Sequence, residues 1–502
     1  MTTTEIPPQE VGKVLQRSVL LSAATALSAA GQFILVWGIA RTGGVDSLGI
    51  YGYVTSLVYL VEMMLFSGLE PLVMLQTTRD NKDLCRSVGT MLMGTTTLGL
   101  LATALLIILT KVLGHPKYVL VSTIIASVAL IPDIIRGVSE WTIIALGKVR
   151  YVAFITIGAA AIQTLFAGIA LLMGKTIVYV LSISTVMSVF IAGIYLWLFM
   201  RWVHPKHLEA SVAESVNWIR SLGPFLRMGV SGALSRRLDV PILTQLGGFG
   251  TAGIYTAAEK MVRPLILLRP AIFQAFFPIF VRTFDVKPEL GLRMARTAAR
   301  LLAITLSASA LVTVIAANAI ITLVFGTDFK AATLVLQLMV WGVPTFYAQT
   351  FAAGTLLADE QQKVAARIYT VNLAAEIGLS LVLVPLWGAM GMAIIHSTVK
   401  LLGVLQMWGA LRQRHLDLQY GRGVLVPIAL AAAMGWPLTL LVRLWSPAPQ
   451  LATGIAGGIS YCLLAIAIGL VKKRDLELLI QALRHSFEQK LEAIRKTRVI
   501  SP

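Results

Sequence analysis

From residue 18 to residue 471, apolar runs of roughly 20 residues alternate with short charged or Gly/Pro-rich breaks. A helix rising 1.5 Å per residue needs about that many residues to cross a hydrocarbon core. Fourteen such windows can be placed, near 16–40, 48–75, 87–110, 118–146, 152–173, 177–200, 222–245, 251–281, 298–323, 332–357, 366–384, 388–411, 424–444 and 451–471. The pattern predicts an all-α, polytopic integral membrane protein. The stretch after Arg17 runs to Ala40 and ends at Arg41 without a small-residue cleavage site, so it reads as the first span and not as a leader. No gap between windows is large enough for a soluble domain; the longest, 201–221, has no fold of its own.

Composition agrees: 57% of residues are hydrophobic and 13% charged, against about 25% charged in soluble domains. Mean hydropathy is +0.80. A net charge of +18 would point to nucleic acid in a soluble protein. Here its distribution gives a different reading. With the N-terminus in the cytoplasm, only Arg41, Lys111, Lys117, Lys175, Lys330 and Arg443 fall in loops on the opposite side. That bias predicts an even number of spans with both termini cytoplasmic, and no nucleic-acid partner. Cys85 and Cys462 fall in a cytoplasmic loop and in the last span, which argues against a disulfide. Beyond Lys472, the stripe Leu476, Leu479, Ile480, Leu483, Phe487, Leu491 and Ile494, flanked by Lys and Arg, predicts a basic amphipathic helix on the anionic inner leaflet, with packing against the bundle or a partner as the alternative.

Gly49-Ile50-Tyr51 opens the second window and Gly253-Ile254-Tyr255 opens the eighth. Each follows a short loop and precedes a long helix. The expected organisation is therefore two six-helix lobes, 1–205 and 206–412, related by an internal repeat. Two extra helices (413–471) and the basic tail (472–502) complete the chain.

Ionisable residues inside the windows are the main functional signal, since each costs about 2.5–3.5 kcal/mol at a helix centre. The first lobe carries Glu62, Glu70, Asp133, Arg136 and Glu140, a net −3; windows seven and eight carry Arg227, Arg236, Arg237, Lys260, Arg263 and Arg269 against Asp239 and Glu259, a net +4. An acidic lobe thus faces a basic one, and a cation-lined cavity in a membrane calls for an anionic cargo. Arg suits phosphate because its planar fork stays charged and binds in a bidentate manner. Pairing is the competing reading: Glu259 with Arg263, Asp133 with Arg136, Arg236 with Asp239, or Glu62 or Glu70 with an Arg of the other lobe, as gates or coupling sites. Glu376 is the expected partner of Lys400, and His396 shares a face with Lys400. No HExxH or CxxC cluster occurs, and the sequence from Gly168 to Thr176 has one residue too many for a P-loop, so no metal or nucleotide site is expected.

Three stretches carry a family resemblance: Gly326-Thr327-Asp328-Phe329-Lys330, then Leu356-Leu357-Ala358-Asp359-Glu360-Gln361-Gln362-Lys363, then Pro385-Leu386-Trp387-Gly388-Ala389-Met390-Gly391-Met392-Ala393. With the first Gly-Ile-Tyr, they resemble bacterial polysaccharide repeat-unit flippases of the multidrug, oligosaccharidyl-lipid and polysaccharide exporter superfamily. These are turn signatures and carry no chemistry themselves. The resemblance implies movement of an undecaprenyl-pyrophosphate-linked oligosaccharide between leaflets of the bacterial inner membrane by alternating access. The basic residues would then hold the pyrophosphate or an acidic sugar. It also implies a polysaccharide polymerase and a chain-length regulator as partners. Without a nucleotide motif, no cofactor is expected, and an H⁺ or Na⁺ gradient or the membrane potential is the economical energy source. A cation-coupled multidrug exporter and a lipid-linked peptidoglycan-precursor flippase are the alternatives; the +4 of windows seven and eight disfavours a cationic drug. A membrane polymerase or ligase would need a sizeable outer loop, which this chain lacks.

Overall fold

The structure, a computed structural model, describes residues 8–79, 84–203, 234 and 237–471. No strand occurs among them. In the first lobe, α1 (Pro8–Arg79) is a helical hairpin bent at Gly44. It is followed by α2 (Leu84–Val112), α3 (Lys117–Val128), α4 (Leu130–Ala145), α5 (Val149–Leu172) and α6 (Ile177–Val203). In the second, α7 (Asp239–Val286) bends at Gly248 and leads to α8 (Pro288–Val324), α9 (Ala332–Met339) and α10 (Gly342–Ala358). The lobe ends in α11 (Gln362–Gln413), bent at Gly388. A π-helical turn at Gly421–Leu425 enters α12 (Val426–Val442), and α13 (Pro447–Ala467) follows; both pack on α8 through Ile304, Leu311, Ile315, Ala431 and Tyr461. Nine helices among the described residues are long and apolar enough to cross a membrane. The basic tail from Lys472 lies outside the described residues.

Two expected spans, 118–146 and 332–357, are each interrupted. The breaks fall at Ala129, between α3 and α4, and at Val340–Trp341, between α9 and α10. Pro132 and Pro344 explain both: without an N–H they cannot bond the carbonyls of Val128 and Val340, four residues earlier.

The internal repeat is visible in the backbone. Gly44 (φ 72°) and Gly248 (φ 80°) make the hairpin turns of α1 and α7, with the same separation of 204 residues as the two Gly-Ile-Tyr tripeptides. Positive φ recurs in the corresponding later turns, at Gly114 and Gly326, at Gly147 and Glu360, and at Gly174 and Gly388. Where α1 crosses α7, the tripeptides meet. A Cβ on Gly49 would stand 1.9 Å from the Phe249 carbonyl oxygen, and one on Gly253 would stand 2.0 Å from that of Val45. Only glycine permits two membrane helices this close an approach, where association rests on packing and not on expulsion of water. Leu35, Val36 and Ile39 of α1 share one buried core with Tyr255 and Val262 of α7. Large apolar side chains such as Leu101, Leu105, Phe154, Leu165 and Phe190 remain exposed on the outside of the first lobe, as a lipid-facing surface requires.

Candidate functional site

The turn at Gly248 folds α7 back on itself, so residues equidistant from it on the two arms face each other. Arg237 thereby meets Glu259, with Nη1 3.5 Å from Oε1. Tyr255 donates its hydroxyl to Asp239 Oδ2 at 2.8 Å, and the Val240 N–H donates to Asp239 Oδ1 at 2.9 Å. Spacing along one helix pointed Glu259 at Arg263, four residues on. The structure gives the close ion pair to Arg237 instead, because the hairpin brings the opposite arm nearer than the next turn. Lys260 and Arg263 stay within electrostatic reach of Glu259. Arg236, expected against Asp239, and Arg227 lie outside the described residues.

This group reaches across the lobes. The Arg237 guanidinium lies 4.5 Å from the ring centre of Tyr59 on α1, and Tyr51 of the first Gly-Ile-Tyr stands within electrostatic reach of Arg263 and Arg237. Tyr59 precedes Glu62 by one turn of the same arm. Glu62 Oε1 lies 3.6 Å from Arg136 Nη2, and Arg136 Nε lies 3.4 Å from Asp133 Oδ1. Ser188 donates to Asp133 Oδ2 at 3.3 Å, and Glu140 adds its charge to the same guanidinium. Glu70 is exposed on α1, within reach of Glu140. Among the described residues Glu62 and Glu70 make no ion pair with an Arg of the second lobe. The cause is local: α4 packs beside α1 and presents Arg136 to Glu62. Contact between the polar walls runs through an aromatic ring.

Farther along α7, Arg269 follows a different course. Its guanidinium lies 4.5 Å from the Phe346 ring centre of α10 and donates to Thr350 Oγ1 at 3.2 Å. The Lys400 ammonium lies 5.5 Å from the same ring, with buried Glu376 in electrostatic reach of Lys400 and His396 near it as well. Arg269 is thus engaged by α10, while His396 lies within electrostatic reach of Glu259.

The result is two polar walls of opposite sign. Three carboxylates (Glu62, Asp133 and Glu140) surround one guanidinium in the first lobe. Three cations (Arg237, Lys260 and Arg263) surround two carboxylates in the second. Charge left over in a membrane interior needs water or a counter-ion, and the surplus on α7 suits an anion. Sequence reasoning, which followed charged residues, gave no site role to Tyr59, Tyr255 or Phe346. The available signal was the three-residue spacing of Tyr59 and Glu62, which puts both on one face.

Comparison with known proteins adds a frame. The family model described as polysaccharide biosynthesis protein matches residues 14–284, and one described as lipid II flippase MurJ matches residues 243–453. Among solved structures, the chain is similar to lipid II flippase MurJ in an inward closed conformation, with TM-score 0.71 and 12% identity over 90% of this chain and 99% of that one. It is also similar to an inward-facing multidrug resistance MATE family transporter of the MOP superfamily (TM-score 0.64, 15% identity, 76% and 94% covered). A third is a MOP superfamily transporter from Pyrococcus furiosus described as having a binding pocket of reverse polarity (TM-score 0.55, 12% identity, 81% and 96% covered). At these identities the likeness is one of fold. No curated protein matches the chain by sequence.

Proposed function

Because the chain belongs to the polysaccharide biosynthesis protein family, we propose that it carries an undecaprenyl-pyrophosphate-linked oligosaccharide from the inner to the outer leaflet of the bacterial cytoplasmic membrane. It is a multi-pass membrane transporter and not an enzyme, so its cycle rests on binding and movement. The observation that carries the proposal is the surplus of cations around Glu259. The lipid pyrophosphate would dock on Arg237, Lys260 and Arg263, with Arg236, Arg227 and Arg269 along its path. Arg237 would exchange Glu259 for phosphate oxygens, a stronger charge-assisted contact when bidentate.

Alternating access would follow from lobes 1–205 and 206–412 closing and parting at the Gly49–Gly253 crossing, with 413–471 as an added pair. Glu62, Asp133, Arg136 and Glu140, with Glu70 beside them, would couple this motion to an H⁺ or Na⁺ gradient. Asp239 and Glu259 would hold the cations until substrate arrives. Both termini would lie in the cytoplasm, and a polysaccharide polymerase with its chain-length regulator would take up the product. A lipid-linked peptidoglycan precursor is the second reading, favoured by the match of residues 243–453; it shares the pyrophosphate and differs in the sugar. Depletion of the protein in its native cell tests both. Polysaccharide repeat units on lipid should accumulate at the cytoplasmic leaflet; accumulation of the peptidoglycan precursor would favour the second reading, and accumulation of neither would refute transport of a lipid-linked sugar.

A further inference from the structure

Inside the first lobe, between the first arm of α1, α4, α5 and α6, lies a cavity of about 240 Å³. At about 30 Å³ per water molecule, it has room for roughly eight waters. Its polar lining includes Ser28, Gln32, Arg136, Thr156, Gln163 and Tyr195. Several of these groups are left available. The Ser28 hydroxyl is buried with no hydrogen-bond partner, and Arg136 Nε, though ion-paired, has none either. Gln32 is exposed at the rim, and Gln163 is oriented by donating from Nε2 to Ser184 Oγ at 2.9 Å. Leu35, Ala159 and Ile191 supply apolar wall between these groups.

Alternating hydroxyl, amide and apolar surface in a space of this size matches a single sugar ring, whose edges carry hydroxyls and whose faces carry C–H groups. Charge narrows the class further. Arg136 is the lining's cation, yet Glu62 and Asp133 already pair with it and Glu140 lies close behind. The cavity therefore offers no free cation to a carboxylate-bearing sugar, because its one guanidinium is already taken. We propose that this cavity is a subsite for one neutral sugar unit of the transported oligosaccharide, read by Gln32, Thr156 and Gln163 and closed to uronic acids. The proposal rests on the transport reading above and adds a place where the sugar is recognised, away from the cations that would hold the pyrophosphate.

The test uses full-length protein in nanodiscs and a panel of neutral methyl pyranosides (gluco, galacto, manno, rhamno and N-acetylglucosamine forms) beside methyl glucuronide, with affinity read by isothermal titration. At least one neutral glycoside should bind, and the glucuronide at least tenfold more weakly. Thr156→Val and Gln163→Leu should each weaken the bound glycoside at least tenfold. Ala159→Leu, which adds bulk and removes no polar group, should abolish binding without lowering the melting temperature. Absence of binding by every neutral glycoside, equal binding of the glucuronide, or unchanged affinity in all three variants would overturn the subsite. Flipping of sugar-bearing lipid in vesicles, measured in parallel, separates the two claims. Glycoside binding without flipping would sink the transport reading alone, and flipping indifferent to the three variants would sink the subsite alone.

Discussion

Replacing Gly49 with alanine would place a methyl 1.9 Å from the Phe249 carbonyl oxygen and 2.7 Å from its carbon. Non-bonded heavy atoms rest at about 3.5 Å, so the crossing arms of α1 and α7 must separate by roughly 1.5 Å. Both obstacles are backbone atoms, and no rotamer change relieves them. Overpacking of this kind costs about 1–3 kcal/mol. That cost falls on the conformation in which the arms cross and not on one in which they have parted, so the ratio of the two should shift by about 5- to 150-fold. Spin labels on cysteines introduced at Lys111 and Lys330, both exposed and one on each lobe, would report the change by electron–electron distance measurement. Cys85 and Cys462 would first be changed to serine. Gly49→Ala should lengthen the distance distribution. Gly253→Ala, whose methyl would stand 2.0 Å from the Val45 oxygen, should do the same. Unchanged distributions in folded variants of both would refute opening of the lobes at the crossing.

Arg41 donates from Nε to the Val324 carbonyl at 2.8 Å and from Nη2 to that of Leu323, tying α1 to the last carbonyls of α8. Arg41→Gln should ease the same separation by about 1 kcal/mol, roughly fivefold, on the same spin pair. Tyr59→Leu removes the ring under Arg237 and should slow transport of a pyrophosphate lipid in vesicles by about 2- to 30-fold, the range of about 0.5–2 kcal/mol for a cation–π contact; Tyr59→Phe should retain most of the rate. Asp417, in the turn after α11, offers a pH test. Its partial burial raises the carboxyl, but donation from Trp408 Nε1 and the Gln419 N–H, with Arg412 nearby, outweighs this and holds it below the usual carboxylate range. A pKa lowered by folding contributes stability above the unfolded value and loses it as pH falls through the folded one. Thermal melts should therefore show Asp417→Asn less stable than wild type at neutral pH, with the gap closing below about pH 4.

Much of the architecture was legible because membrane helices announce themselves by length and polarity. The tripeptide at Gly49 and Gly253 gave the repeat, although its reason, a backbone contact between the copies, became visible only in three dimensions. The breaks at Ala129 and Val340 were also within reach, since Pro132 and Pro344 stand in otherwise unbroken apolar runs. The site was less legible. Helical spacing pairs residues along one helix, so Asp133 with Arg136 could be read directly. The pairing of Arg237 with Glu259 depends on a hairpin turn at Gly248, and that of Glu62 with Arg136 on which helix packs beside α1. Neither follows from spacing. Tyr59 and Phe346 escaped notice because an aromatic ring as partner for a membrane cation leaves no charge pattern in the sequence.

The most direct test of the account is leaflet-to-leaflet movement of a purified undecaprenyl-pyrophosphate oligosaccharide in vesicles containing the protein. Wild type should move it, and the combined Arg237→Ala, Lys260→Ala, Arg263→Ala variant, inserted and folded, should slow it at least a hundredfold. Equal rates for the two proteins would contradict the claim that the cations of α7 hold the pyrophosphate.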